Sequence, residues 1–557
     1  MKRPTPDWLS KAVFYEIYPQ SFYDTNGDGI GDLPGIIEKL DYIAELGCNA
    51  LWLNPCFVSP FGDAGYDVAD FYRVAPRYGT NDDIVRLFQE AKRRGIKVCL
   101  DLVAGHTSAE HPWFKESCRH ERNQYSNWYI WTDSIWDKGA PNMPMVNGFA
   151  ERDGNFLSNF FYFQPALNYG FAQPDPERPW QLPVDHPDVL AVRAELKKIM
   201  RYWLDLGADG FRVDMAASLV KSDPGLVETG KLWLEIREMF DREYPQAVLM
   251  SEWSEPAKAI LAGFQVDFML AFGNPPAYNA LLRRERGRDL DPYAAKDAHS
   301  FFDAQGKGNI RDFLDSYLRH YEATREYGFI TIPSGNHDST RLAVGRTPRE
   351  IALVFVMILT MPGIPFIYYG DEIGLRQIEG LPSKEGGYSR TGARTPMQWD
   401  SSANLGFSTA EAAQLYLPVD GAPDAPTVES AQQGNDTLFA QVKDLVRLRL
   451  AHPALGAEGL FTPLYAEAGR YPFVYSRAKD GETFVIAVNP SGSEANAEFA
   501  GPAGEFRLAR GGGVTMTQKE GRVTMAMAPL SFGIFASNQL EVTQASPERR
   551  TSFGAID

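Results

Sequence analysis

Six side chains with chemical potential stand in short apolar settings along the chain, and a seventh lies beside them. Asp101 and His106 occur in "DLVAGHTS", Arg212 and Asp214 in "GFRVDMA", Glu252 in "SEW", and His337 and Asp338 in "SGNHDSTR". Cleaving a glycosidic bond with retention needs a carboxylate nucleophile and a carboxylic acid about 5–5.5 Å apart. Asp214 suits the nucleophile, because Arg212 two residues earlier lies on the same side of a strand and favours its ionised form. Glu252 suits the acid, with Trp253 as an apolar neighbour that favours the protonated form. Asp338 would hold sugar hydroxyls and favour a positively charged transition state, and the two histidines would donate to hydroxyls of the same ring. Taken singly, each has a plainer reading. A strand-end Asp is commonly a helix cap, and a His/Asp/Glu zinc site lacks His-x-x-x-His spacing. Only joint placement makes them a site.

That placement depends on the elements between them. Short β-rich runs begin at Ala12, Ala50, Lys97, Gly210, Ala247, Val266, Phe329 and Pro365, and helical patterns lie between them. Ile36, Ile37, Leu40, Ile43 and Leu46 predict one helix from Pro34. "NDDIVRLFQEAKRRG" predicts a second, with Asn81 as its cap. Eight strand–helix repeats imply a (β/α)8 TIM barrel, whose active site lies at the C-terminal ends of the strands. The rhythm breaks after strand three. We read residues 107–184 as an inserted subdomain, 1–106 and 185–455 as the barrel, 456–540 as a C-terminal antiparallel β-sandwich domain, and 541–557 as a frayed tail. Asp480-Gly481 predicts a hairpin turn in the C-terminal domain.

The chain has 557 residues, enough for one large domain with smaller ones attached. Net charge is −17, with no long basic run, which argues against a nucleic-acid partner or an anionic membrane surface. Four cysteines make no disulfide framework. No segment has signal-peptide or membrane-span character, so the expected setting is the cytoplasm.

"DTNGDGIGD" places Asp24, Asn26, Asp28 and Asp32 at alternating or near-alternating positions, with the Ile30 carbonyl between them. A calcium-sensor loop needs Glu at its twelfth position, where this chain has Gly35, and a phosphate loop needs Gly-Lys-Ser/Thr. What remains is an oxygen cage suited to Ca²⁺ or Mg²⁺, or a solvated turn.

With "DLVAGH", "GFRVD", "SEW" and "NHD" in this order, the chain resembles the α-amylase family of glycoside hydrolases (family 13). It is most similar to the oligo-1,6-glucosidase and α-glucosidase branch, with trehalose synthase nearby. "GCNALWLNPCFVSP", "GYDVADF" and "GIPFIYYGDEIG" extend the likeness. The resemblance implies Asp214 as nucleophile, Glu252 as acid/base and Asp338 as transition-state stabiliser. It implies Asp101, His106, Arg212 and His337 as their supporting shell and Tyr66 as the ring stacked on the scissile sugar. It makes the Asp24–Asp32 string a structural Ca²⁺ loop (Mg²⁺ being possible), with no organic cofactor. "SRTGARTPMQWD" resembles a segment whose arginine faces Asp67, so Arg390 or Arg394 is expected to pair with Asp67 and close the pocket behind one sugar. Gly105, Ala166 and Met215 depart from the family pattern, and Ala217 and Ser218 replace a Lys-His pair of many endo-amylases. The implied activity is an exo-acting, retaining α-glucosidase on short α-glucosides. The alternatives are a transglucosylase or glucoside isomerase, then an endo-amylase, then a non-catalytic binding relative.

Overall fold

The structure is a computed structural model, in which residues 4–140, 143–270, 277–282 and 299–537 are described. The proposed tail at 541–557 lies outside the described residues. Eight parallel strands form the main sheet: β1 (Phe14–Ile17), β2 (Ala50–Leu53), β3 (Lys97–Val103), β4 (Gly210–Asp214), β5 (Val248–Ser251), β6 (Val266–Phe268), β7 (Phe329–Thr331) and β8 (Phe366–Tyr368). Neighbours in sequence pair in order, and β8 returns to β1 with Phe366 beside Phe14. A bridge between Pro333 and Phe366 closes the ring. All eight runs expected from the sequence are strands of this barrel.

Alternation along each strand sorts the side chains. Phe14, Trp52, Cys99, Val248, Met250, Phe268 and Phe366 fill the barrel interior, with Leu9 and Ala12 in the same apolar cluster. Tyr15, Leu51, Val98, Phe211 and Leu249 point outward into the core shared with the helices. The same parity, carried two residues further, sends Glu16, Asn54, Asp101, Arg212 and Glu252 inward above the apolar floor. At the floor Gly210 is required. A Cβ there would lie 2.2 Å from the Val248 carbonyl oxygen, and its φ is +152°.

Two helix expectations need correction. The first helix is interrupted at Lys39, giving Leu33–Glu38 and Leu40–Leu46. The Lys39 ammonium lies over the Tyr23 and Trp399 rings, 3.9 and 4.4 Å from their centroids. The cap of helix Asn81–Arg93 is Thr80, in a reciprocal capping box with Asp83, not Asn81. Asn81 instead binds the preceding strand, accepting from Val74 N–H (2.9 Å) and donating to the Tyr72 carbonyl (2.8 Å).

The connection from β3 to β4 carries the insert, with a short hairpin (Met145–Asn147 with Asn155–Leu157) before helix Pro187–Leu206. The C-terminal part is a six-stranded antiparallel sheet from Leu460 to Ser537. Its last two strands, Phe506–Lys519 and Arg522–Ser537, are long and interrupted by register shifts, which lets one sheet fold over a core of Val474, Val485, Phe499, Val523 and Met525. Asp480 and Gly481 take positive φ in the predicted hairpin turn. All four cysteines are free thiols. Among the described residues, no helix is long and apolar enough to cross a membrane.

Candidate active site

Arg212 is the hub of the barrel mouth. Its Nη1 donates to Asp101 (2.9 Å) and to Asp214 (3.1 Å), and its Nη2 meets Glu252 at 2.6 Å. It is 1% exposed. Burial opposes its charge, but Asp101, Glu252 and Asp214 together hold the guanidinium well above its ordinary range. Its face lies over the Trp52 ring, 5.0 Å from the centroid. Trp52 and Tyr66 both donate to Asp101 Oδ2, at 3.1 and 2.9 Å.

Asp214 and Glu252 sit side by side on this one cation. Burial pushes Asp214 up and the Glu252 charge adds to it, while Arg212 pulls the other way. This runs against the expectation from Arg212 alone, because burial with the neighbouring carboxylate outweighs the arginine. Two buried carboxylates in contact disfavour each other's charge, and at Asp214 this adds to burial. Trp253 is not the apolar neighbour expected of Glu252. Alternation turns its ring outward against Phe264, 6.3 Å between centroids.

Across the mouth, His337 bridges two acids. Its Nδ1 lies 2.9 Å from Glu16 and its Nε2 3.1 Å from Asp338. Burial works against the imidazolium, but Asp338 and Glu16 raise it to about 9. Burial also opposes charge on Asp338, yet His337, Arg390 and Arg394 hold it well below the usual carboxylate range. Asp338 is therefore the fixed anion of the site. The Tyr66 ring stacks on His337 at 5.4 Å.

Arg390 and Arg394 both bind Asp338 Oδ1, Arg394 at 3.0 Å. Neither pairs with Asp67, which corrects the sequence expectation. Asp67 is fully buried and spent on its own loop, accepting from Ser59 Oγ (2.9 Å), Gly62 N–H (2.8 Å) and Asp63 N–H (3.0 Å). A carboxylate that wraps a turn has no freedom to reach across the pocket. Asp63 feels the charges of Arg394 and Arg390 without forming an ion pair with either. Burial raises it to about 6, against the pull of Gln164, Arg394 and Arg390. Gln164, from the insert, donates to it at 2.8 Å.

His106 also differs from expectation. Its Nε2 faces the Tyr66 carbonyl at 3.1 Å, and its Nδ1 faces Asn159 at 3.0 Å. Both nitrogens are used by protein, so it orients Tyr66 rather than donating to a sugar. Asp63, Gln164, Glu16 and Asn159 were missed in the sequence. Glu16 had a signal, being a lone charge at an inward position of an apolar strand.

The Asp24–Asp32 loop is wrapped by its own amides. Asp24 accepts from Gly27 N–H (2.8 Å), Gly29 N–H (2.8 Å) and Ser408 Oγ (2.6 Å). Asn26 and Asp28 accept from Asp28 and Ile30 N–H, each at 2.9 Å. Asp32 ties back to Thr25 and caps helix Leu33–Glu38 through Gly35 N–H. Among the described residues, no three His, Cys, Asp or Glu side chains converge as a metal-holding group. The donors are hard oxygens of the kind Ca²⁺ or Mg²⁺ takes; Asn26, Asp28 and Asp32 Oδ1 each accept one bond and keep a lone pair to offer, whereas both Asp24 oxygens already accept two.

Comparison with known proteins agrees with this geometry. Residues 16–458 match the model of the α-amylase catalytic domain. A trehalose synthase/amylase of Mycobacterium tuberculosis is 32% identical over 87% of this chain and 82% of that protein. An oligo-1,6-glucosidase of Heyndrickxia coagulans is 31% identical over 91% of this chain and 96% of that protein. The crystal structure of the trehalulose synthase MutB from Pseudomonas mesoacidophila superposes with a TM-score of 0.77 at 27% identity, over 96% of this chain and 100% of that one.

Proposed function

Because the chain belongs to the α-amylase family of glycoside hydrolases, we propose that it is an exo-acting, retaining α-glucosidase of short α-glucosides. The observation that carries this is the single buried guanidinium joining Asp101, Asp214 and Glu252 at the barrel mouth. The reactive form has Asp214 as carboxylate and Glu252 as carboxylic acid. Asp214 attacks the anomeric carbon while Glu252 protonates the departing oxygen, giving a covalent glucosyl-enzyme. Water, activated by Glu252 as base, then releases glucose with its anomeric configuration retained. Asp338, kept ionised by His337 and two arginines, faces the positive charge that develops on the sugar. Asp63 with Arg390 and Arg394 closes the pocket behind one ring. This chemistry calls for no organic cofactor.

A second reading is a transglucosylase or glucoside isomerase on the same side chains. It is favoured by the trehalose synthase/amylase and trehalulose synthase relatives. Water and a second sugar compete for one intermediate, so products decide. Incubation with maltose, isomaltose, trehalose, sucrose, nigerose and starch, followed by chromatography and proton NMR, should show free glucose released first as the α-anomer. β-Glucose as first product would rule out retention, and trehalose or another disaccharide as the main product from maltose would replace hydrolysis by transfer.

We also propose a structural Ca²⁺ or Mg²⁺ at Asp24, Asn26, Asp28, the Ile30 carbonyl and Asp32, supported by the hard-oxygen donors and their spacing. An ion that binds only the folded chain stabilises it by mass action. A chelator should lower the melting temperature with little change in rate at low temperature, and Asp28→Ala should abolish that sensitivity. An unchanged melting temperature in both would remove the ion from the protein. A reducing cytoplasm is the proposed setting, supported by the four unpaired thiols.

A further inference from the structure

Gly105 stands one residue before His106, and its backbone does not take a left-handed conformation that would call for glycine. Space calls for it instead. A Cβ at 105 would lie 2.8 Å from Nδ2 of Asn159, the far end of a side chain that reaches in from the insert. That amide nitrogen is 3.0 Å from His106 Nδ1 and 3.7 Å from the Met215 sulfur. Asn159 itself is anchored by its own N–H to the Gln164 carbonyl, 2.9 Å.

The proton positions follow from the partners. His106 Nε2 faces a carbonyl oxygen, which only accepts, so Nε2 carries the proton. The ring is 1% exposed. Burial takes it down to about 4, so it stays neutral and Nδ1 must accept. Asn159 Nδ2–H is the donor it receives. Through that bond the insert secures the His106 ring in the tautomer that the Tyr66 carbonyl selects, His106 holds that carbonyl, and Tyr66 ends the turn that begins at Asp63. The Tyr66 N–H closes that turn on the Asp63 carbonyl at 2.8 Å. On its other side Asn159 touches Met215, whose φ is +45° and whose N–H donates to Glu252 Oε2 at 2.8 Å.

We infer that Asn159 is a positioning residue of the site. One amide from the insert holds the His106 ring in its Nε2–H form and braces Met215, and so orders both the Asp63–Tyr66 turn and the backbone donor that aims Glu252. Gly105 is the vacancy this amide requires. The inference rests on the glucosidase reading only for its kinetic consequence; the tautomer stands apart from it.

Two substitutions should then fail in the same way. Asn159→Ala removes the donor, and Gly105→Ala pushes the amide off His106. Each should lower kcat/KM for maltose on the order of 10- to 100-fold, mainly through kcat, as slight misplacement of a reacting group does. The double variant should be no worse than either single, because both break one contact. Asn159→Asp sets a carboxylate against Nδ1, which should raise the His106 pKa toward neutrality and add a new limb to the pH–rate profile. NMR of enzyme labelled with ¹⁵N-histidine reads the same event without substrate. Wild type should show a neutral Nε2–H ring that does not titrate near pH 6, and each variant should change that ring's signals. Additive losses in the double variant, or unchanged His106 signals in Asn159→Ala, would overturn the inference. If the wild type hydrolysed no glucoside, the glucosidase reading would fall and the NMR result alone would judge Asn159.

Discussion

Asp214→Asn leaves a folded enzyme that hydrolyses aryl α-glucosides on the order of 10⁴-fold more slowly or worse, the scale of loss when a covalent nucleophile is removed. The amide keeps the shape of the side chain and its contact to Arg212, so the fold should survive. It cannot form the glucosyl-enzyme. Glu252→Gln loses about 10²- to 10⁴-fold on the same substrate, the usual range for a general acid. The two separate with α-glucosyl fluoride. Fluoride leaves with little protonic help, so Glu252→Gln should recover much of its first step, seen as a burst of fluoride, whereas Asp214→Asn should not. Each substitution also removes one of the two carboxylates that meet on Arg212. The pH–rate curve of the intact enzyme should be bell-shaped, and the limb set by the remaining acid should move in each variant. Near-normal turnover of ordinary glucosides by Asp214→Asn, with its melting temperature unchanged, would remove Asp214 from the mechanism.

Much of this arrangement was legible because a barrel converts sequence parity into geometry. Once "GFRVD" is a strand, Arg212 and Asp214 must share a side, and both point inward because Phe211 and Val213 must face helices. The same parity places Glu252 inward and turns Trp253 outward, so a sequence neighbour on a strand is not a spatial neighbour. The cap is encoded locally as well: Thr80 followed three residues later by Asp83 is the reciprocal pattern, and Asn81, one residue on, serves the preceding strand instead. The pocket's floor was harder. Asp63 and Asp67 flank Gly65-Tyr66 with similar credentials. What separates them is backbone geometry: Asp67 lies where the Gly62 and Asp63 amides converge, and that is decided by how the loop folds on the insert. Asn159 was illegible for a related reason. Its partners lie 53 and 56 residues away, just past the ends of two different strands, and no local pattern encodes that meeting.

Asp63→Asn is the variant on which the exo-acting reading turns. Asp63 is 5% exposed, bonded by Gln164, and within the fields of Arg390 and Arg394. A buried polar group of this kind discriminates strongly, because a ligand that fails to bond it leaves it unpaired. If it receives the hydroxyls at the non-reducing end of a glucose ring, its loss should reduce kcat/KM for maltose about 10²-fold or more. Arg394→Ala should be comparably damaging, since it also frees Asp338 from one of its two arginines and drops a 2.8 Å bond to the His337 carbonyl. Asp67→Ala should behave differently. It removes the acceptor that folds Ser59–Asp63, so its loss should be accompanied by a lower melting temperature, while the effect of Asp63→Asn should be confined to kinetics. The intact enzyme should release single glucose units from the ends of malto-oligosaccharides and leave cyclodextrins, which have no end, almost untouched. A closed pocket admits nothing behind the first ring, so starch viscosity should fall slowly. Rapid thinning of starch with maltose or longer products would mean that chains pass through the site, and Asp63 with its two arginines would then line an open cleft.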